Sequence, residues 1–368
     1  MTDAALLESI EAGWTLPSRW YSDRDIFREE QRKILRRSWH YVTHTGALVE
    51  PGDVFPWELG GVPIVLVRGN DGEISGYENI CRHRAYPVVT TPGNQRSLTC
   101  HYHGWTYDLG GALVNAPKAN GPLGFDVAEM CLPRVQVAVW GPTVWVNPSL
   151  DAPTFEQWTA GANGGMSLDD LLLSHGCDVR DATQATQWSW EIDANWKVFQ
   201  DNTIECYHCP TTHPEFSRAV VQDPAQQIMA VGGRYWIHHS IPFRKGIPEG
   251  PTYVPDTYWY NWIFPATYLQ HSGKGFDIGS IDIVDVDRLR FRHLWFAPNG
   301  TAPDVVALSQ RSLERDPTIP QDVEICKLVQ RSHDSGVAPA GRLLAGREAL
   351  LTHFYKLIVE LMTEDAGA

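Results

Sequence analysis

The sequence predicts an α+β fold in two parts, a small all-β domain followed by a larger antiparallel sheet that carries helices. Three observations point there. Short runs of alternating apolar residues fill the stretch from about 40 to 148, strand-like alternation returns between 232 and 297, and helical spacing governs 22–39 and the chain beyond 320. The 368 residues, 43% of them hydrophobic, suffice for two domains with cores of their own. Lys and Arg number 30 against 44 Asp and Glu, a net charge of −14, which excludes bulk electrostatic binding to nucleic acid or to an anionic membrane. No apolar run approaches the roughly 18 residues of a membrane span. The start Met1-Thr2-Asp3-Ala4 lacks the basic and apolar regions of a signal peptide, so a cytoplasmic protein is expected. Seven cysteines, odd in number and thinly spread, do not make a disulfide framework, and those beside histidines are read first as metal ligands.

Taken in order, residues 22–39 read as one helix. Ser22 is its cap, with Asp25 three positions on, and Ile26, Phe27, Ile34, Leu35 and Trp39 form its apolar stripe. Ile64 to Arg68, Gly69-Asn70-Asp71-Gly72 and Glu73 to Ile80 make a hairpin signal, and a second turn at Gly110-Gly111 is flanked by Tyr107 and Leu113. Val135, Val137 and Val139 alternate up to Gly141-Pro142, and Val144 to Val146 resume. Asn147-Pro148 and Asp151-Ala152-Pro153 mark a boundary. Beyond it Trp188, Trp190 and Ile192 share a strand face, and Asp193 is placed to cap a helix starting near Asn195. Tyr258, Tyr260, Trp262 and Phe264 alternate, as do Leu289, Phe291, His293 and Trp295. Helices are expected at about 320–332 and 347–362.

Cys81-Arg82-His83 and Cys100-His101-Tyr102-His103 form a C-x-H and C-x2-H pair separated by sixteen residues. Zinc fingers group C-x2-4-C with H-x3-5-H, and that grouping is absent. In a Rieske [2Fe–2S] centre two cysteines hold one iron and two histidines the other, which two loops that interleave Cys with His supply. The stretches CRHRAYPV and CHYHGWTYDLGG resemble the Rieske domain of ring-hydroxylating and related non-haem iron oxygenases. The resemblance assigns Cys81, His83, Cys100 and His103 as cluster ligands, leaves His101 as a neighbour, and sets Trp105 beside the cluster.

The second rich stretch runs from Asn195-Trp196-Lys197 to Glu205-Cys206-Tyr207-His208-Cys209-Pro210-Thr211-Thr212-His213-Pro214. On one straight helix His208 and His213 would diverge by about 140°, but Pro210 and Pro214 suggest that the helix ends between them and the chain turns back. Two imidazoles and a carboxylate on one face of Fe(II) leave positions open for O2 and substrate. This stretch resembles the catalytic domain of the same family, which implies that His208 and His213 ligate the mononuclear iron. It also implies that Glu205 bridges towards a Rieske histidine of a neighbouring subunit and carries electrons across the interface. Many members have Asp at that position. A competing reading makes Cys206-x2-Cys209 half of a zinc site, but no second C-x2-C completes it; packed, unreactive thiols are expected.

The third ligand is sought on the helix 319–332. Asp322 shares a face with Ile325, Cys326 and Val329, and a carboxylate in an apolar stripe needs a cation or a donor. Glu324 shares its face with Lys327 and Arg331, a solvated pattern. Asp322 is therefore preferred over Glu324, with a capping or salt-bridged role as its competitor, and the resemblance supports it.

The resemblance covers nearly the whole chain. It implies a Rieske domain at 40–150, a helix-grip catalytic domain at 151–368 with residues 1–39 packing on it, and a head-to-tail homotrimer. Without G-x-G-x-x-G opening a βαβ unit, NAD(P)H is expected to be oxidised on a separate reductase, with or without a ferredoxin. The expected activity is that of a terminal oxygenase using O2 to hydroxylate or N-demethylate a small molecule. Ring hydroxylation of an aromatic acid is the alternative, and a Rieske electron-transfer protein without oxygenase activity is an alternative of another class. Pocket candidates are Tyr235, Trp236, Tyr258, Trp259, Tyr260, Trp262, Phe291, His293 and Trp295, able to stack on a ring or to cage a quaternary ammonium group. His238, His239 and His271 are expected to be surface or hydrogen-bonded histidines.

Overall fold

The computed structural model describes residues 3–118 and 125–364. They form two compact units, one of residues 35–154 and one that joins the residues up to 34 with those from 155 onward.

In the first unit the strands are β1 (His40–His44), β2 (Asp53–Leu59), β3 (Val62–Arg68), β4 (Ile74–Glu78), β5 (Gly93–Asn94), β6 (Leu98–Thr99), β7 (Thr106–Tyr107), β8 (Leu113–Asn115), β9 (Arg134–Trp140) and β10 (Thr143–Asn147). They order as β1-β10-β9-β4-β3-β2-β5, with a separate β6-β7-β8 meander. The expected hairpin is β3–β4, with Val67 opposite Ser75. Tyr107 pairs with Leu113 across the second turn. There Gly111 has φ +81°, and a Cβ on it would lie 2.7 Å from the Tyr77 ring, so only glycine closes this turn. A core of Val54, Val65, Val67, Tyr77, Leu98 and Tyr107 also takes in Cys81 and Cys100. The two sequence-flagged loops therefore start from one hydrophobic base.

The second unit carries β11 (Ala182–Ile192), β12 (Ile228–Gly233), β13 (Trp236–Pro242), β14 (Thr257–Ile263), β15 (Thr267–His271), β16 (Phe276–Asp285) and β17 (Arg288–Pro298). The order β11-β17-β16-β15-β14-β13-β12 is an antiparallel meander whose last strand also pairs with β11. The two late helices run Thr318–Asp334 and Ala349–Thr363. Phe354, on the second, meets Trp196 and Trp262 edge-on at 5.8 and 5.2 Å between ring centres.

Two local expectations need correction. Residues 22–39 are not one helix: Arg19–Ser22 ends before Arg24–Lys33 begins, and Leu35–Arg37 is a 3₁₀ turn. The cap is Asp23, not Ser22; it has extended backbone, and its carboxylate accepts from the amides of Asp25 at 2.8 Å and Ile26 at 3.4 Å. Likewise Asn195, not Asp193, caps the helix Trp196–Thr203, its amide oxygen accepting from Lys197 N–H at 2.9 Å.

Candidate metal centres and the cavity beside them

The first centre sits on two loops of the same design. In one, Cys81 N–H donates to Tyr86 O and Ala85 N–H to Cys81 O, both at 2.9 Å. In the other, Cys100 N–H donates to Trp105 O at 2.8 Å and Gly104 N–H to Cys100 O at 2.9 Å. Each loop buries its cysteine and exposes its histidine. The His83 and His103 rings stand 4.5 Å apart, edge to face, and Trp105 stacks on His83 at 5.0 Å. Burial first, and then the neighbouring Cys81, push the Cys100 thiol up. Two buried sulfurs on one side and two exposed imidazoles on the other fit the donor asymmetry of a Rieske cluster. The exposed histidines are where its charge would leave. The Tyr107 hydroxyl lies 3.5 Å from Cys81 Sγ and accepts from Arg82 N–H at 3.0 Å.

The second centre is assembled by a chain reversal. Helix Trp196–Thr203 ends, Cys209–Thr212 makes one turn, and Pro214–Ala219 starts a new helix with proline in its first turn. His208 and His213 flank the short turn, which brings their Nε2 atoms to 3.2 Å. Helix Thr318–Asp334 supplies Asp322, whose Oδ1 is 2.9 Å from His213 Nε2 and 3.5 Å from His208 Nε2. One ligand atom from each of the three lies within 4.8 Å of the others. The remaining ring nitrogens are held: His208 Nδ1 by Glu205 at 2.6 Å and His213 Nδ1 by Gln321 Oε1 at 2.7 Å. Each imidazole thereby donates from Nδ1 and turns its Nε2 lone pair inward. Asn202 Nδ2 donates to Asp322 Oδ1 at 3.2 Å.

Electrostatics tie the three together. Burial works against a charged His208, but Asp322 and Glu205 outweigh it and raise the ring to about 9. Burial likewise opposes the Asp322 carboxylate, yet the two imidazoles hold it below its usual range. A donor set of two imidazoles and one carboxylate, tautomers fixed and charge balanced by a cation, fits divalent iron with open positions. An isolated capping or salt-bridging role for Asp322 does not explain this convergence.

The triad opens into a cavity of about 330 Å³. Of the nine sequence candidates, Tyr258, Tyr260 and His293 line it. The other six are used elsewhere. Tyr235 stacks on Trp158 and Trp259 on His175, each at 3.6 Å. Trp236 donates to Ala160 O, Trp262 to Gln200 and Trp295 to Lys274 O, while Phe291 packs on Phe199. Strand alternation separates the sets: Tyr258 and Tyr260 face the cavity, Trp259 the other side of the sheet. Sequence reasoning missed Tyr253, Tyr268, Phe216 and Phe243. For Tyr268 a signal existed, since it alternates with Gln270 on β15. Gly279 makes room for it, as a Cβ there would lie 1.9 Å from the Tyr268 ring.

Other expectations change. Cys206 and Cys209, read as packed thiols, form a disulfide; three residues apart across the turn, their Cα atoms are 5.1 Å distant, within bridging range. Of the two readings for His238, His239 and His271, the surface one fails, since all three are buried, and the hydrogen-bonded one holds for His238 and His239. His238 bonds Asn261 at 2.7 Å, and His239 bonds Gln227 at 3.2 Å and lines the cavity. His271 adjoins His175 and is pushed down to about 3 by burial.

Comparison with known proteins gives a consistent result. The family model for the ring hydroxylating alpha subunit (catalytic domain) matches residues 179–364, and that for the Rieske [2Fe-2S] domain matches 38–136. The carnitine monooxygenase oxygenase subunit of Acinetobacter baumannii is 30% identical over 356 residues, covering 92% of this chain and 90% of that one. Chloroplastic choline monooxygenase of Arabidopsis thaliana is 27% identical over 363 residues, covering 95% and 83%. Among solved structures, a quaternary ammonium Rieske monooxygenase in complex with L-carnitine superposes with a TM-score of 0.79 at 24% identity, covering 95% and 96%. Naphthalene 1,2-dioxygenase from Rhodococcus sp. reaches 0.82 at 18%, covering 100% and 98%. At these identities the two structures speak to the fold.

Proposed function

The chain belongs to the Rieske non-haem iron oxygenases, and from that premise we propose that it removes an N-methyl group oxidatively from a quaternary ammonium compound. It is a terminal oxygenase component with a [2Fe–2S] cluster and a mononuclear iron, and it uses O2 and reductase-supplied electrons to hydroxylate or N-demethylate a small organic substrate. The observation that carries the substrate reading is the tyrosine wall beside the triad: Tyr253, Tyr258, Tyr260 and Tyr268 share the cavity of His208, His213 and Asp322. A trimethylammonium head has no N–H to donate, and ring faces attract it. The relatives named for carnitine and choline support the same head group.

In this reading Cys81, His83, Cys100 and His103 hold the cluster, and His208, His213 and Asp322 hold Fe(II). The metals, when bound, supply stored electrons and O2 activation. The chain does the rest. Glu205 and Gln321 fix the imidazole tautomers, and Asn202 steadies Asp322. Burial keeps Tyr258, Tyr260 and Tyr268 protonated, so the wall stays neutral, excludes water and turns one methyl towards the triad. The balance is one methyl C–H, O2, two electrons and two protons to a hydroxymethyl group and water. The hydroxymethyl ammonium then loses formaldehyde and a proton, leaving a tertiary amine.

The same reading makes the protein a cytoplasmic homotrimer, served by a reductase with or without a ferredoxin, with Glu205 at one end of an inter-subunit electron route. No helix among the described residues is long and apolar enough to cross a membrane. The test is reconstitution with a ferredoxin–reductase pair and a panel of N-methylated and aromatic substrates. Formaldehyde formed in step with O2 consumption is expected; a hydroxylated ring product with no formaldehyde from any N-methyl compound would turn the assignment to ring hydroxylation. Asp322→Asn should lose the mononuclear iron and the oxygenation while keeping the Rieske absorption. Full activity in that variant would exclude the ligand set.

A further inference from the structure

The cavity's lining includes a carboxylate, Asp277, one oxygen of which is buried without a hydrogen-bond partner. Asp277 on β16 is paired in register with Gln270 of β15, which in turn faces Tyr260 of β14. A relay of side chains decides what Asp277 meets. Burial first, and then the charge of Asp277, raise Tyr258 far above its ordinary range, so its hydroxyl keeps its proton and donates to Gln270 Oε1. That leaves Gln270 Nε2 to face His293 Nε2 at 3.5 Å, with the amide as donor. His293 Nε2 lies 3.4 Å from Asp277 Oδ1, too far for a good hydrogen bond, and that oxygen is a buried atom without a hydrogen-bond partner. A cation entering the cavity would satisfy that oxygen.

The rest of the lining points the same way. Asp316 adds a carboxylate to those of Asp277, Glu205 and Asp322, and among the described residues that line the cavity there is no lysine or arginine. A substrate bearing its own carboxylate would meet like charge at Asp277 and Asp316 and no lysine or arginine to pair with. We infer that Asp277 is the counter-charge for the substrate's ammonium group, and that the cavity selects ammonium compounds without a carboxylate over zwitterionic betaines. This rests on the cavity being the substrate pocket of the proposed function and names the class of cation that enters it. The tyrosines supply shape and ring faces, Asp277 supplies the charge, and zwitterions are disfavoured because, among the described residues, no lysine or arginine lines the cavity to take their acid end.

Binding to the iron- and cluster-loaded enzyme tests this without depending on which carbon is oxidised. The probes are choline, its uncharged carbon isostere 3,3-dimethylbutan-1-ol, and the zwitterions carnitine and glycine betaine, titrated by calorimetry. Choline should bind roughly tenfold or more tightly than the isostere and than either zwitterion. Asp277→Asn, nearly isosteric, should bring choline to the level of the isostere and raise its KM by a similar factor, with iron content and cluster spectrum retained; Asp277→Glu should recover part of the difference. If Asp277→Asn does not fold, the wild-type preference for choline over carnitine and glycine betaine decides, since the tyrosine ring faces attract all three ammonium heads alike. Tighter binding of a zwitterion, equal binding of the isostere, or a KM indifferent to Asp277→Asn overturns the inference. Asp277-dependent binding without formaldehyde from any ammonium compound would instead remove the proposed N-demethylation and leave this inference standing.

Discussion

Gln321 holds the one nitrogen of His213 that points away from the other two donors. It sits next to Asp322 on the same helix, about 100° round the axis, and its Oε1 reaches His213 Nδ1 at 2.7 Å. Without that acceptor the imidazole is free to place its proton on Nε2, where it would block the metal, or to rotate. Loss of such a partner costs roughly 10–100-fold in metal affinity. Gln321→Ala should therefore weaken Fe(II) binding by about that factor with the Rieske absorption unchanged, and Gln321→Glu, which restores an acceptor, should recover most of it. An Fe(II) titration of the metal-free variants, read by retained iron, checks both. Affinity equal to wild type in Gln321→Ala would show that His213 is oriented by its backbone alone. Asp322 was legible in the sequence because a carboxylate in an apolar helical stripe is anomalous by itself. Gln321 was not, because an amide is unremarkable at any helical position until a second chain segment arrives beside it.

At the scale of elements, a buried ion pair fixes the helix that leads into the triad. Lys197 and Glu30 side chains are both fully buried, and Lys197 Nζ lies 2.7 Å from Glu30 Oε1. Trp196 Nε1 donates to the same carboxylate at 2.9 Å. Burial raises Glu30 and lowers Lys197, so each depends on the other to stay charged. The pair clamps Arg24–Lys33 to Trp196–Thr203, and Gln330 joins helix Thr318–Asp334 to the clamp by accepting from Asn195 N–H at 2.9 Å. The helices that carry Asn202 and Asp322 are thus registered at their ends remote from the cavity. Removing one partner strands a buried charge at a cost of about 3–5 kcal/mol, whereas replacing both with apolar groups of similar volume is often neutral. Lys197→Met should destabilise by that amount and release iron, and Lys197→Met with Glu30→Leu should regain most of the loss; chemical denaturation followed by tryptophan fluorescence reads the cycle. Strand periods, the two metal motifs and the late helices were legible because each is a local pattern. Glu30 with Lys197, Asp277 with Gln270 and His293, and the choice of cavity-facing tyrosines were not. They are set by packing and register between segments distant in the chain, and Phe276-Asp277-Ile278 alone reads as ordinary alternation.

The whole molecule places its two candidate centres in separate compact units, each with its own core and its own proposed ligands. Damage to one centre should leave the other intact: Cys100→Ser should lose the cluster and keep the mononuclear iron, Asp322→Asn the reverse, and neither should turn over. This independence allows a test of how electrons travel in the proposed head-to-tail trimer. In such a ring every interface is of the same heterologous kind, so each iron site has one neighbouring cluster. If electrons stay within a subunit, mixing the two variants restores nothing, since no chain holds both centres. If they cross the interface, a site works whenever an iron-competent chain follows a cluster-competent one. In every trimer that holds both chains that is one of its three sites, about one third of all sites. Co-expressed Cys100→Ser and Asp322→Asn chains, purified through two different tags, should then recover substrate-dependent O2 consumption near that fraction. Adding Glu205→Gln to the iron-competent chain should reduce it, because Glu205 is the acidic group bonded to His208 at 2.6 Å. Zero activity in trimers shown to contain both chains would confine electron transfer to single subunits and remove the bridging role of Glu205, while leaving its hydrogen bond to His208 as the reason for its position.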